Sequence, residues 1–184
     1  MPKDTYIPCL LQLFRQYGYD GATLAKISQA TGLGKASLYH YFPGGKEEMV
    51  TTVLDYLAQW LEQHILQPLR YQGDALARFQ SMSDSISELY AGGQQPCLLA
   101  ILLMGSTRDV FQPTLRSLLH SWIEAIAEVL IAAGLNETLA KQRGEDAIIA
   151  IQGSLILSHG LNDFAPFQRT LAQLPQQLCQ GLLG

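Results

Sequence analysis

The sequence of 184 residues suits one large domain or a small one joined to a medium one, and 48% hydrophobic against 15% charged content excludes a disordered chain. The formal net charge of −4 is unevenly spread: residues 1–46 hold five basic and two acidic side chains, a balance of +3, and residues 47–184 hold seven basic and fourteen acidic, a balance of −7. A basic head on an acidic body is the asymmetry expected of a chain that meets phosphate at one end only, and it excludes a uniformly basic nucleic-acid coat.

Helical periodicity dominates from the start, and no period-2 strand pattern is present. The first helix is predicted from about Tyr6 to Tyr17, with Leu10, Leu13, Phe14 and Tyr17 on one face, Pro8 in its first turn and Gly18 at its end. Thr23 reads as the N-cap of a short helix, Leu24 to Thr31, which Gly32 terminates. A second short helix covers roughly Lys35 to Phe42 and is stopped by Pro43-Gly44-Gly45. Two short helices joined by a glycine-containing turn are a helix-turn-helix in outline.

The helices then lengthen. One is predicted from Lys46 to about Leu66, with an apolar stripe of Val50, Val53, Leu54, Leu57, Trp60 and Leu61, and Pro68 and Gly73 mark a break. The next spans about Asp74 to Tyr90, followed by the loop Gly92 to Pro96 and a compact apolar helix from Cys97 to about Met104. Further helices are predicted over Gln112 to Ala133, Glu137 to Leu161 with Asn136 starting it, and Pro166 to near Leu183. The expected fold is all-α: three short helices, then about six longer ones. No internal repeat or low-complexity segment is present.

The short helix at Lys35 has too few residues for stability of its own. Leu38 and Phe42 must hold it against Ile27, Ala30 and the first helix. That leaves Lys35, Ala36, Ser37, Tyr39, His40 and Tyr41 for other contacts. In a helix-turn-helix the second helix enters the major groove with its N-terminal residues against base edges. Lys35 reaches guanine O6/N7, Ser37 bonds several base edges and Ala36 meets a thymine methyl. Tyr39 and His40 stand where side chains meet phosphate and set register. Thr23 and Lys46 each begin a helix, where the backbone N–H groups and the dipole favour an anion.

Residues 18–49, GYDGATLAKISQATGLGKASLYHYFPGGKEEM, closely resemble the DNA-binding signature of the tetracycline-repressor (TetR) family. The matching residues are Leu13, Phe14, Gly18, Thr23, Ile27, Ala30, Gly32, Lys35, Ser37, Leu38, Tyr39, Tyr41, Phe42 and Lys46. The resemblance assigns phosphate contact to Thr23, Tyr39, His40 and Lys46, and base contact to Lys35, Ala36 and Ser37; Gln29 is a further backbone candidate. The Pro43-Gly44-Gly45-Lys46 corner is one residue longer than the commonest family spacing and resembles a recurrent subgroup. Only Lys3 is basic ahead of the first helix, so an arm that reads the minor groove is not expected.

After residue 50 the resemblance continues in fragments, Gly92 to Ala100 and the helix with Gly153 followed by Pro166-Phe167, both similar to the same subgroup. It implies a DNA-binding domain over 1–46 and a ligand-sensing and dimerisation domain over 47–184, with a pocket between the middle helices and pairing through the last two. Pocket candidates are Phe79, Met82, Cys97, Leu98, Ile101, Met104, Phe111, Trp122, Ile126, Gln152 and His159, mostly apolar with two polar groups to orient a ligand. The helix 137–161 is apolar on most sides, so it is covered on most sides. A homodimer interface is expected at Ile149, Gln152, Gly153, Ile156, Leu171, Leu174 and Leu178, with Gly153 and Ser154 permitting close approach.

The expected function is a ligand-responsive DNA-binding regulator, a repressor released from a palindromic operator by a small, largely apolar molecule. The helix 46–66 is the expected lever from pocket to head. The competing reading is a helical ligand-binding or interaction protein that does not bind DNA, and the Thr23, Lys35, Tyr39 and Lys46 set speaks against it. An enzyme is not expected: Ser158, His159 and Asp163 lack a nucleophile elbow, and no phosphate-cradling glycine loop appears. No cofactor or metal is expected, since Cys9, Cys97 and Cys179 are widely spaced and unpaired with histidine. A cytoplasmic location is expected, with no basic-then-apolar leader and no apolar run of membrane-spanning length.

Overall fold

Nine α-helices and no strand are present among the described residues, 3–71 and 73–182, of the computed structural model. They are α1 (Ile7–Gly21), α2 (Leu24–Thr31), α3 (Lys35–Tyr41), α4 (Gly45–Leu61, prolonged through a π-turn at Glu62–Leu66 and a last α-turn at Gln67–Arg70), α5 (Ala75–Leu89), α6 (Leu98–Met104), α7 (Arg108–Ala132), α8 (Glu137–Leu161) and α9 (Ala165–Leu178). Two compact units are formed: the described residues of Met1–Gln59 with Cys97–Arg116, and those of Trp60–Pro96 with Ser117–Gly184.

In the first unit, α1 packs on α2 and α6. Leu10, Phe14, Ile27, Leu38, Phe42, Val50 and Val53 are all buried in this unit, each worth about 1.5–3 kcal/mol for a fully covered side chain of this size. Gly18 kinks α1 where an end was expected: its φ of 64° leaves the helical path, and the chain resumes one further turn to Gly21. A side chain there is disfavoured by the positive φ, and its Cβ would come into contact with Ile101 Cγ2 at 3.4 Å. Helix α2 has the caps its sequence predicts. Thr23 Oγ1 accepts the Lys26 N–H at 3.3 Å, and Gly32 closes the helix at φ 71°. Helix α3 stops at Tyr41, one residue short of the expectation, since Phe42 already leaves helical geometry ahead of Pro43.

The π-turn in α4 was not predicted. Pro68 was read as a break, yet the helix absorbs it. Pro68 has no N–H to return to His64 and its ring crowds that carbonyl, and the preceding turn widens so that the Gln67 N–H reaches Glu62 O. Pro113 is absorbed likewise: α7 begins four residues before the expected start, and only one exposed first-turn bond is forgone.

The second unit is built on α5, α8 and α9, with α9 packed on both others. Asp74 and Asn136 cap α5 and α8 through the N–H groups of Ala77 and Leu139. The close helix approach is made by Gly144, not by Gly153: a Cβ on Gly144 would lie 2.8 Å from the Ile123 carbonyl oxygen, whereas one on Gly153 would meet nothing within 4 Å. Helix α9 ends at Leu178, short of the expected Leu183, which lies outside the described residues. Arg143 satisfies two carbonyls at that end, Leu178 O and Gln180 O, both at 2.8 Å.

Candidate nucleic-acid interface

Helix α3 has seven residues and no side-chain cap, so its position depends on what it buries. Leu38 is buried inward and Phe42 is buried directly after it. Lys35, Ala36, Ser37, Tyr39 and His40 are all exposed. Two readings of this motif are corrected. Ala30 is exposed and not buried beneath α3. Tyr41 is not available for an outside partner, because its half-buried ring packs on Tyr6 with centroids 5.2 Å apart.

The flanks complete the surface. Thr23 is exposed; its oxygen accepts the Lys26 N–H, and its own O–H proton is left to donate. Lys26 has a committed position, with its ammonium 3.7 Å from the Tyr17 ring centroid and 3.1 Å from the Gly21 carbonyl. Lys46 opens α4 with its ammonium 4.3 Å from the Tyr19 ring centroid. Gly45 turns this corner at φ 67°, a conformation that favours glycine, and a Cβ there would lie 3.7 Å from the Tyr39 ring. Gln29 is exposed on α2.

Glu48 organises the back of the corner. Its carboxylate accepts the Gly44 N–H at 2.7 Å and pairs with the Lys3 ammonium. The hydrogen bond from Lys3, and then that from Gly44, holds this carboxyl below the usual glutamate range. Lys3 also lies 5.3 Å from the Phe42 ring centroid. Lys3, the basic residue ahead of α1 in this sequence, is thereby tied to the scaffold. Burial, followed by the charges of Glu47 and Asp20, pushes the Tyr19 hydroxyl up and keeps it neutral. Tyr19, Lys26 and Glu48 are functional neighbours that motif reading missed. The i,i+4 spacing of Gly44 and Glu48 was a signal for one of them.

The pocket candidates divide between the two units. Cys97, Leu98 and Phe111 are buried and Ile101 half-buried in the first. Met104, at 87% exposure, does not line an interior and is corrected; it follows the last apolar turn of α6, where Gly105 ends the helix. In the second unit Phe79, Met82, Trp122 and Ile126 are buried, and the Trp122 indole N–H lies 3.5 Å from Met82 Sδ. The Gln152 side-chain oxygen is buried without a hydrogen-bond partner. His159 is exposed, with its ring against Phe164, and is also corrected as a pocket residue.

The pairing candidates separate in the same way. Leu171, Leu174 and Leu178 are buried within the protomer, where α9 packs on α5 and α8, and are not free to meet a partner. Ile149 and Ile156 are 66% and 62% exposed, Gly153 is exposed and Gln152 half-buried. Ile149, Gly153, Ile156 and Gly160 form a stripe at spacings of four, three and four along one helix face, flanked by exposed Leu157 and Leu161. Gly160, Leu157 and Leu161 were missed, although the repeat was visible in the sequence.

Ser158 is fully buried, and its Oγ accepts the Phe167 N–H at 3.1 Å, while Asp163 accepts the Ala165 N–H at 3.0 Å. Both accept backbone N–H groups where α8 passes into α9. No disulfide joins Cys9, Cys97 and Cys179, and burial raises the thiols of Cys9 and Cys179. Among the described residues no helix is long and apolar enough to cross a membrane, and no group of three or more histidine, cysteine or carboxylate side chains is placed to hold a metal.

Comparison with known proteins places this geometry. Residues 10–53 match the family described as bacterial regulatory proteins, tetR family, and residues 75–173 match the transcriptional regulator LmrA/YxaF-like C-terminal domain. The HTH-type regulator YxaF of Bacillus subtilis, itself uncharacterised, is 27% identical over 168 residues, 89% of this chain and 88% of that one. The HTH-type transcriptional regulator LmrA of Bacillus subtilis is 23% identical over 180 residues, 96% of each. The crystal structure of a TetR transcriptional regulator from Legionella pneumophila superposes with a TM-score of 0.81 at 18% identity, covering 95% of this chain and 96% of that one.

Proposed function

Since the chain belongs to the TetR family of helix-turn-helix transcriptional regulators, with an LmrA/YxaF-like C-terminal domain, we propose that it is a homodimeric repressor released from a palindromic operator by a small, largely apolar effector. It is a regulator and not an enzyme. The proposed division of labour is DNA reading by residues 1–46 and sensing with dimerisation by residues 47–184. We also place the Pro43-Gly44-Gly45-Lys46 corner in the family subgroup that shares it, and the protein in the cytoplasm.

The observation that carries the reading is the exposed row on α3. Five side chains able to meet bases or phosphate stand out from a helix that Leu38 and Phe42 hold in place. In this reading Lys35, Ala36 and Ser37 contact base edges, and Thr23, Tyr39, His40 and Lys46 contact phosphate. Two heads related by a two-fold axis then address half-sites one helical turn apart, or a multiple of that. The apolar stripe Ile149, Gly153, Ile156 and Gly160 is the pairing surface. In the second unit the effector meets Phe79, Met82, Trp122 and Ile126, with the buried Gln152 oxygen accepting a hydrogen bond from it. Release follows from population shift: an effector that binds one head spacing better than the other biases the dimer by that difference in affinity.

Selection of duplex DNA from a random pool by the purified protein tests this. The expected result is a palindromic site whose affinity falls with salt by a log–log slope of about 0.9 per neutralised phosphate. Absence of enrichment, or enrichment that survives alanine at Lys35, Tyr39 and Lys46 together, sinks it in favour of a ligand-binding protein without DNA.

A further inference from the structure

We propose that Tyr19 is the positioning residue for Lys46, and that Asp20 and Tyr19 together form a joint through which residues 106–111 set where the Lys46 ammonium stands. The proposal rests on the reading of Lys46 as a phosphate contact. All of its residues lie in the first unit.

Lysine carries its charge on four flexible methylenes, so a phosphate contact from Lys46 depends on what confines the ammonium. The Tyr19 ring does so, with the ammonium 4.3 Å from its centroid. The ring is in turn placed by Phe111, which is buried, with centroids 6.0 Å apart and planes tilted by 56°. The next residue is held as firmly. Asp20 accepts from the Ser106 hydroxyl, with its two oxygens 2.8 and 2.7 Å from Oγ. A hydroxyl has one proton to donate, so this is a shared bond whose strength comes from the charge on the carboxylate. Immediately before the pair, Gly18 leaves helical geometry at φ 64° and lies against Ile101. Residues 19–21 are therefore a separate turn, released from the rest of α1 by Gly18. That turn is fastened at Ser106 and Phe111, and one face of it carries Lys46. A displacement of residues 106–111 moves the ring under the lysine, and phosphate binding by Lys46 biases the same segment by an equal free energy in return.

The test is a double-mutant cycle on the affinity of the full chain for a duplex selected from a random pool, measured across a range of salt. Lys46→Ala is expected to weaken binding and to reduce the salt slope by about one per protomer. Tyr19→Leu is expected to cost about five- to thirtyfold in affinity, on the scale of an exposed cation–π contact in each of two heads, with a reduced slope as well. Tyr19→Phe, which keeps the ring, restores both. Ser106→Ala weakens binding in the native background. In the Lys46→Ala background neither Tyr19→Leu nor Ser106→Ala weakens it further.

A Tyr19→Leu loss that is unchanged by removing Lys46 means the ring only supports the fold, and overturns the proposal. So does wild-type affinity in Tyr19→Leu or in Ser106→Ala. A Lys46→Ala variant with unaltered affinity and slope fails differently: it removes the phosphate reading of Lys46 and the proposal with it, while the base-reading role of α3 stands on its own variants. Circular dichroism melts of each variant identify any that does not fold, and Tyr19→Phe against Tyr19→Leu then carries the comparison at a temperature where both are folded.

Discussion

Helices α3 and α8 each leave one face uncovered, and the two faces are chemically opposite. On α3 the exposed residues are Lys35, Ala36, Ser37, Tyr39 and His40, polar or small, with aromatic rings that carry a hydrogen-bonding tip. Along the stripe on α8 they are Ile149, Gly153, Ile156 and Gly160, flanked by Leu157 and Leu161, with no charge among these six, while Glu145, Asp146 and His159 are also exposed on the same helix. A face of the first kind loses little in water and gains from a polyanion. A face of the second kind is costly in water and gains from another apolar surface, and its glycines let two backbones approach. The contrast separates two needs within one chain: DNA must be released when a signal arrives, whereas the pairing that sets the spacing of two heads must persist.

The largest expected effect breaks the apolar side of this comparison. Ile149→Asp with Ile156→Asp places two carboxylates in each half of the proposed interface, at a cost of roughly 3–5 kcal/mol per unpaired buried charge. Sedimentation is expected to show a folded monomer with DNA affinity down at least a hundredfold, on the arithmetic of about 1.4 kcal/mol per decade. A dimer of native stability carrying both substitutions would place the interface elsewhere. On the polar side the matching break lies beneath the face. Phe42→Ala removes the fully buried ring behind α3 and should cost about 3–5 kcal/mol in thermal unfolding. DNA binding should be lost with it, although Phe42 touches no DNA in this reading. An unfolding midpoint within a few degrees of the native one would show that α3 is held by something other than this core.

The two glycines of α8 sharpen the comparison at smaller scale. Gly144→Ala drives a Cβ to 2.8 Å from the Ile123 carbonyl oxygen, which costs about 1–3 kcal/mol of strain within the protomer. Gly153→Ala meets nothing in the protomer and gains up to about 1 kcal/mol of helix propensity. Its effect belongs to the dimer. Measured as monomer stability the first change is destabilising and the second is not; measured as dimer dissociation the second weakens pairing. Equal effects of the two on both measurements would refute the assignment of one glycine to the core and the other to the partner.

The sequence was informative where a local chemical signal marks a boundary. Thr23 and Gly32 bracket α2, and Asn136 opens α8, because caps act within one turn and their residue types are few. Pro68 misled for the same reason: a proline signals a lost hydrogen bond, but whether the helix ends or absorbs the loss depends on the geometry and solvation of the affected carbonyl. Periodicity showed that α8 is apolar on most sides, and Ile149 and Ile156 stand exposed on the side that the protomer does not cover. It could not distinguish a leucine that meets its own core from one that faces a partner, which is why Leu171, Leu174 and Leu178 were misassigned. Met104 and His159 failed similarly, since residue type suggests a pocket and only tertiary placement decides exposure. Tyr19 was hidden by distance in sequence, because Lys46 and Phe111 meet its ring from 27 and 92 residues away.

The smallest effect tests how far the polar side depends on charge. Glu48 ties Lys3 and the Gly44 N–H to the corner that presents Lys46, and its carboxyl is held below the ordinary glutamate value by Lys3 and then by Gly44. A carboxyl depressed in the folded state contributes stability that is complete above its unfolded value, about 4.3, and is lost as pH falls through the folded value. Glu48→Gln keeps the shape and removes the charge. At neutral pH the variant should melt slightly below the native protein, by no more than about 1 kcal/mol, since the Lys3 pair is partly exposed. That gap should close as the pH drops below the ordinary carboxylate range, and should shrink in high salt as well. A gap that stays the same at neutral and acid pH would mean that the carboxylate charge, and with it the ion pair, adds nothing to the corner.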